Sequence, residues 1–160
     1  MKAFNRLPKD IILRLYVDGD FSTVETVRNW FNALNNRQDV KAYGYSKSWD
    51  EIWELKDIWP NNYTLNLSNG GLERRVKRTD MEKLPGVRGS FLAVKIDSKL
   101  MKKSTKFSLE YHMAVREEIK KITGHAGFSC PGLCGNCNVK GMHACNSEIL
   151  KGIAIGIGIH

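Results

Sequence analysis

The sequence predicts an α/β protein: a small, mostly parallel sheet or partial barrel with flanking helices and a C-terminal cysteine-rich cluster-binding loop. Three observations carry this prediction. Apolar strand-like runs alternate with amphipathic helical stretches over residues 11–68, joined by short links. The chain ends on Ile153-Ala154-Ile155-Gly156-Ile157-Gly158-Ile159, a period-two pattern of large and small residues. All four cysteines fall within the sixteen residues from Cys130 to Cys145. A length of 160 residues suits one α/β domain over 1–160, with the cluster-binding loop at 124–146.

Ile11-Ile12-Leu13-Arg14-Leu15-Tyr16-Val17 is a short run of β-formers that stops at the turn signal Asp18-Gly19-Asp20. Ser22 and Glu25 fit a capping box, and Val24, Val27, Phe31 and Leu34 follow at helical spacing. A helix is therefore expected over 23–35. Residues 40–46 read as the second strand. Ser48 and Glu51 form a second capping box, opening a short helix that presents Ile52 and Leu55 and ends before Pro60. Residues 63–67 are the third strand. Residues 74–79 fit an exposed strand or a loop. Phe91-Leu92-Ala93-Val94-Lys95-Ile96 is a strand. Residues 105–122 form a helix with Phe107, Tyr111, Ala114, Val115 and Ile122 on or near one face. Residues 124–145 hold five glycines and every cysteine, the composition of a loop shaped by a metal rather than by a core.

The net charge of +8 is unevenly spread. Residues 1–71 hold nine basic and nine acidic side chains. Residues 72–121 hold fourteen basic and seven acidic, and residues 122–160 add only +1. A localised basic segment attracts phosphate, which makes nucleic acid a candidate partner, with Arg74, Arg75, Lys102 and Lys103 as its contacts. A solvated surface that only keeps the chain soluble is the plainer account. No run of about 18 apolar residues occurs, so no membrane span is expected. The N-terminal charges have no apolar stretch behind them, which argues against a signal peptide and for a reducing, cytoplasmic setting.

In such a setting clustered cysteines are ligands more often than disulfides. Structural zinc favours two Cys-x2-Cys pairs 12–20 residues apart. Here only Cys134 and Cys137 form such a pair, with Cys130 just upstream and Cys145 alone. Three plus one suits a [4Fe-4S] cluster held by Cys130, Cys134, Cys137 and Cys145. Zinc, and free thiols or a redox disulfide pair, remain the alternatives. Gly132, Gly135 and Gly141 would let backbone amides approach sulfur, Pro131 stiffens the loop, and His143 is a further potential ligand.

Functional side chains of parallel α/β folds gather at the C-terminal ends of strands. Asp18 and Asp20 end the first strand and Lys47 follows the second, so these three are the catalytic candidates. The competing account is that the aspartates only build their turn. His112 and His125 have no partner that sequence identifies. The four tryptophans fit the core and its edges better than a nucleic-acid platform.

Cys130-x3-Cys134-x2-Cys137 resembles the cluster motif of radical S-adenosylmethionine enzymes. It departs from it at Asn136, where those enzymes carry an aromatic residue, and in its place near the C-terminus. A second resemblance covers residues 11–72. Leu15-Tyr16-Val17-Asp18-Gly19-Asp20-Phe21, a helix bearing Trp30, Ala42-Tyr43-Gly44-Tyr45-Ser46-Lys47-Ser48, Pro60-Asn61-Asn62-Tyr63 and Asn66-Leu67-Ser68 resemble the gene product 88 family of bacteriophage-associated proteins. That resemblance implies an iron–sulfur α/β protein of phage or prophage origin, working in the host cytoplasm, without a defined reaction. This chain starts almost at the Gly-Asp strand, so a partial barrel or small sheet, completed by self-association into a homo-oligomer, is expected. Three functions follow as expectations. They are electron transfer or redox sensing with a redox partner, an enzyme with one open iron, and a nucleic-acid-binding module stapled by zinc or a cluster.

Overall fold

The computed structural model describes residues 3–16, 19–70, 75–102, 106–132, 137 and 143–159. The chain packs as two compact units, Met1–Val87 and Arg88–His160. Both are α/β, and every strand pairing described within them is parallel.

In the first unit β1 (Ile12–Leu15), β2 (Lys41–Ser46) and β3 (Tyr63–Ser68) pair in that order. Leu13 sits beside Ala42 and Ala42 beside Tyr63. Leu15, Gly44 and Leu65 make the next row. That face meets helices α1 (Val24–Asn35) and α2 (Trp49–Trp53), and its core includes Val27, Phe31, Leu34, Ile52, Leu65 and Leu67. Trp49 is buried in the same core, and Trp30, Trp53 and Trp59 pack against its margin. The opposite face carries Arg14, Tyr43, Tyr45, Thr64 and Asn66. There the Arg14 guanidinium lies 4.9 Å from the Tyr45 ring centre.

The helix cap differs from the sequence expectation. Thr23, not Ser22, caps α1, its hydroxyl accepting from the Thr26 amide at 3.1 Å. Ser22 is one residue too early to reach that amide and meets the Thr26 hydroxyl instead. Ser48 stands at the N-cap of α2 but makes no side-chain cap bond. Its hydroxyl donates to the Phe21 carbonyl at 2.7 Å. Asn62 closes the other end of α1. Its amide nitrogen donates to the carbonyls of Leu34, Arg37 and Val40, which ties the last turn of α1 to the loop that leads into β2. Arg37 forms a fork on Asp39 at 2.8 and 2.7 Å, and reaches the carbonyls of Phe4 and Leu7, which ties down the N-terminal segment.

Residues 78–79, expected in a strand or loop, begin the short helix α3 (Arg78–Met81). Asp50 holds its approach. Its carboxylate accepts the amides of Val76 at 2.9 Å and Arg75 at 3.1 Å, with the Arg75 guanidinium 3.6 Å away. Burial works against the Asp50 charge, but the two amides and the guanidinium outweigh it and hold its pKa below the usual carboxylate value. A carboxylate whose folded pKa is depressed adds stability that is complete above its unfolded pKa. That stability is lost as pH falls through the lower folded value. The protection factor of the Val76 amide, its exchange rate measured against the intrinsic rate at each pH, should therefore fall on acidification, and Asp50→Asn should remove that dependence. An amide equally protected from neutral pH into acid would exclude this role for Asp50.

In the second unit β4 (Val87–Lys95), which starts at the last residue of the first unit, pairs with β6 (Ile155–Ile159). β6 in turn pairs with the two-residue β5 (Phe128–Ser129). β5 falls inside the segment the composition assigned to loop; two residues give too short a pattern to detect. Helix α4 (Leu109–Thr123) starts later than expected because Ser108 caps it, accepting the Tyr111 amide at 3.2 Å. It stops at Gly124, whose φ of 75° suits glycine. Tyr111, Val115 and Ile119 are its buried residues, whereas Ile122, expected on the core face, is exposed. The alternation of β6 is explained by α4 and β4. A Cβ at Gly156 would sit 2.7 Å from the Ile119 Cδ1, and one at Gly158 would sit 2.5 Å from the Ile96 Cδ1. The small face of β6 is therefore small because neighbouring side chains occupy the space. Among the described residues no helix is long and apolar enough to cross a membrane.

Candidate metal centre

Three of the four cysteines lie among the described residues, and Cys134 lies outside them. Cys130, Cys137 and Cys145 are thiols, with no disulfide between them. Cys130 directly follows β5, and its amide donates to the Gly156 carbonyl at 2.7 Å, so sheet pairing fixes its backbone. Its sulfur accepts the Gly132 amide at 3.4 Å. Gly132 has φ 81°, and a Cβ there would come within 2.0 Å of the Phe107 ring, so only glycine permits this turn. The Tyr111 hydroxyl accepts the Gly158 amide at 2.8 Å. Burial raises the Tyr111 pKa; the Gly158 amide opposes that, and the Cys130 sulfur adds to it.

Cys137 meets the segment that carries Cys145 through one backbone bond. The Cys137 sulfur accepts the Ala144 amide at 3.5 Å, from the one-turn 3₁₀ segment Ala144–Asn146 that contains the buried Cys145. Ser147, just beyond, is wholly buried, and its hydroxyl has no hydrogen-bond partner among the described residues. Soft thiol donors, amides aimed at sulfur and an unsatisfied buried hydroxyl fit a thiolate-bound metal or cluster in their chemistry. Among the described residues, however, no three His, Cys, Asp or Glu side chains converge as a metal requires. The fit is one of donor type rather than of a finished cage.

Beside Cys130 the structure shows a pair that sequence did not reveal. His112 Nδ1 lies 2.8 Å from the Ser129 hydroxyl. Its ring stacks on Phe107 at 6.4 Å and meets Tyr111 edge-on at 5.3 Å. Burial, then the Arg116 charge, lowers the His112 pKa; the Phe107 backbone works the other way. Seventeen residues separate the partners, so only the packing of α4 on β5 brings them together. His125 is exposed, and its amide donates to the Thr123 hydroxyl at 3.2 Å. The His143 carbonyl accepts the Asn146 amide.

The strand-end candidates belong to the first unit. Asp18 lies outside the described residues. Asp20 accepts three hydrogen bonds: from the Ser46 hydroxyl at 2.6 Å, the Lys47 amide at 2.5 Å and the Phe21 amide at 2.8 Å. The Ser48 hydroxyl on the Phe21 carbonyl and the Trp49 indole on the Ser46 carbonyl close the same knot. Lys47 contributes its backbone here while its side chain is exposed. Asp20 thus latches the segment after β1 to the end of β2. Asp20→Ala should cost about 2–4 kcal/mol in urea unfolding, the order expected when buried donors lose a charged acceptor. Unchanged stability would mean the latch is not structural. At the end of β3, Asn66 is wholly buried, its amide donating to the Gly44 carbonyl at 3.1 Å.

Of the nucleic-acid candidates, Arg74 and Lys103 lie outside the described residues. Arg75 pairs with Asp50 at 3.6 Å and Glu54 at 3.4 Å, so two carboxylates offset its charge locally. Lys102 is exposed at the end of the Ser98–Met101 turn, in the other unit.

No curated protein and no solved structure matches the chain. The family model described as Gene product 88 matches residues 2–89, which spans the first unit and ends ahead of every cysteine. The matched stretch contains the Asp20 latch, the Trp30 indole bonded to the Tyr16 hydroxyl and the Asn62 contacts. On that match over more than half its length, this chain belongs to the Gene product 88 family.

Proposed function

We propose that this chain is a phage-type metalloprotein whose cysteines Cys130, Cys134, Cys137 and Cys145 hold a [4Fe-4S] cluster used for electron transfer or redox sensing in the host cytoplasm. The observation that carries this reading is the contact between Cys137 and the segment that carries Cys145. The Ala144 amide points at the Cys137 sulfur from the residue next to Cys145. The segment that carries the fourth cysteine, which spacing alone leaves isolated, thus meets the third through its backbone. A bound cluster would supply one-electron chemistry. The chain's own residues would supply four thiolates, amide donors to sulfur and, at Tyr111, Phe107 and His112, a largely apolar wall beside Cys130.

A closed, four-cysteine site favours electron transfer over an enzyme with an open iron. The radical-enzyme likeness rests on the spacing of three cysteines alone. A nucleic-acid role is the weaker reading, because the carboxylates of Asp50 and Glu54 offset Arg75. Anaerobic purification with iron, zinc and acid-labile sulfide analysis tests the proposal. A brown protein with equal iron and sulfide, bleached by dithionite, is the expected result. Stoichiometric zinc without iron would replace the cluster by a structural metal, and a protein with neither metal would end the reading.

A further inference from the structure

The link from β4 to α4 gathers positive charge that the cysteine site does not use. Residues 95–106 hold five lysines against one aspartate, Asp97. Lys95, Lys99, Lys102 and Lys106 are described, and all four are exposed. Elsewhere in the basic segment 72–121 the excess is offset. Arg75 pairs with Asp50 and Glu54 in the first unit, and three acidic side chains along α4 match its three basic ones. Local folding brings the four lysines to one rim of the second unit. Lys95 is the last residue of β4 and stands beside Ile159, the last of β6, so it marks the carboxyl end of this parallel pair. The Asp97 carboxylate accepts the Lys99 amide at 2.8 Å and starts the Ser98–Met101 turn, which packs against both α4 and β6. Leu100 and Met101 pack against the core there, which leaves Lys99 and Lys102 outside. The Lys106 amide donates to the Lys102 carbonyl at 2.8 Å, so the link closes on itself just before the Ser108 cap.

We propose that this lysine rim binds the phosphate backbone of duplex nucleic acid. The proposal does not depend on a metal, and the offset of Arg75 does not touch it, because the rim lies in the second unit. The carboxyl ends of parallel strands are where α/β proteins take ligands. Lysine meets phosphate as a point charge and needs no fixed geometry, so it suits a backbone contact rather than base reading. Duplex DNA carries about one negative charge per 1.7 Å of axis, so the lysines of one short link can engage several phosphates together. Single strands are held largely by bases stacked on aromatic rings. Phe107, the aromatic residue next to the link, is half-buried and turns its ring to Tyr111 and His112, with centres 5.1 and 6.4 Å away. The rim therefore favours duplex over single strand.

Binding of the full-length protein to a labelled DNA duplex of about 20 base pairs is followed by fluorescence anisotropy across a salt series. One variant combines Lys95→Gln, Lys99→Gln, Lys102→Gln and Lys106→Gln. A control combines Lys9→Gln, Lys41→Gln, Lys77→Gln and Lys83→Gln, which removes the same charge from exposed sites of the first unit. For the parent, log affinity should fall against log salt with a slope of about −4, one unit for each rim lysine. The rim variant should lose most of that slope and bind about tenfold or more weakly at low salt, and each single rim change should flatten the slope by about one. The control should keep the parent's slope. A control that weakens as much as the rim variant would reduce binding to net charge and overturn the rim. Equal or tighter binding of a single strand of the same length would overturn the duplex assignment. Displacement of the duplex by polyglutamate at matched charge would put an acidic protein in its place. A parent that binds no duplex at low salt would end the proposal and leave the metal reading standing.

Discussion

Cys130→Ala, Cys134→Ala and Cys137→Ala are each expected to empty the protein of iron and sulfide while leaving its helix content near that of the parent. The two outcomes separate because the metal and the core draw on different residues. The second unit has a core of Leu92, Val94, Ile96, Tyr111, Val115, Ile119 and Ala154, none of them a metal donor. Cys130 hangs from β5 by a backbone bond that alanine also makes. Losing one thiolate from a four-cysteine set removes a covalent ligand, and metal sites of this kind draw on the order of 10 kcal/mol from the whole set. Cys145→Ala is the informative member of the series. Its loss of metal would mark a closed site and electron transfer, whereas retention would leave one iron open for chemistry. Circular dichroism and metal analysis on the same samples decide it, and retention in all four variants would refute cysteine ligation altogether.

Arg88→Met should destabilise the second unit by about 3 kcal/mol or more, visible as a melt roughly 10 °C lower. Arg88 is 2% exposed, an unusual place for a guanidinium. Its Nη1 donates to the carbonyls of Leu150 at 2.6 Å and Ile153 at 2.8 Å, and its Nη2 to that of Ser90 at 3.2 Å. Its carbonyl accepts the Gly152 amide at 2.6 Å. The side chain therefore staples the turn that leads into β6, and β6 is the strand that places Cys130. Methionine fills similar length but donates nothing, which leaves those acceptors unsatisfied in a buried setting. Arg88→Lys should fall between the two, since an ammonium lacks the planar fork. A methionine variant that melts with the parent would remove Arg88 from this role.

The alternation of strands and helices was legible because each element carries its own period: Val27, Phe31 and Leu34 at helical spacing, and the Ile-Gly alternation of β6 at two. Its finer points were not. Thr23 and Ser22 both suit a cap, and only backbone geometry chose between them. Ile119 and Ile122 stand only about 60° apart round α4, and packing against β6 decided which of them is buried. Asp20 reads from sequence as a polar strand end, and only the fold shows the three hydrogen bonds that its carboxylate accepts from Ser46, Lys47 and Phe21.

By itself the sequence determined the α/β class, the family likeness of the N-terminal half and the crowding of four cysteines into sixteen residues. These depend on residue type and on spacing along the chain. Tertiary structure alone decided which groups stand against the described cysteines. His112 on Ser129, Tyr111 near Cys130 and Ala144 on Cys137 are joined across seven or more residues by the packing of α4 and the folding of the 144–150 turns. The buried hydroxyl of Ser147 became visible only there, because burial and the lack of a partner are properties of the folded chain and not of its sequence.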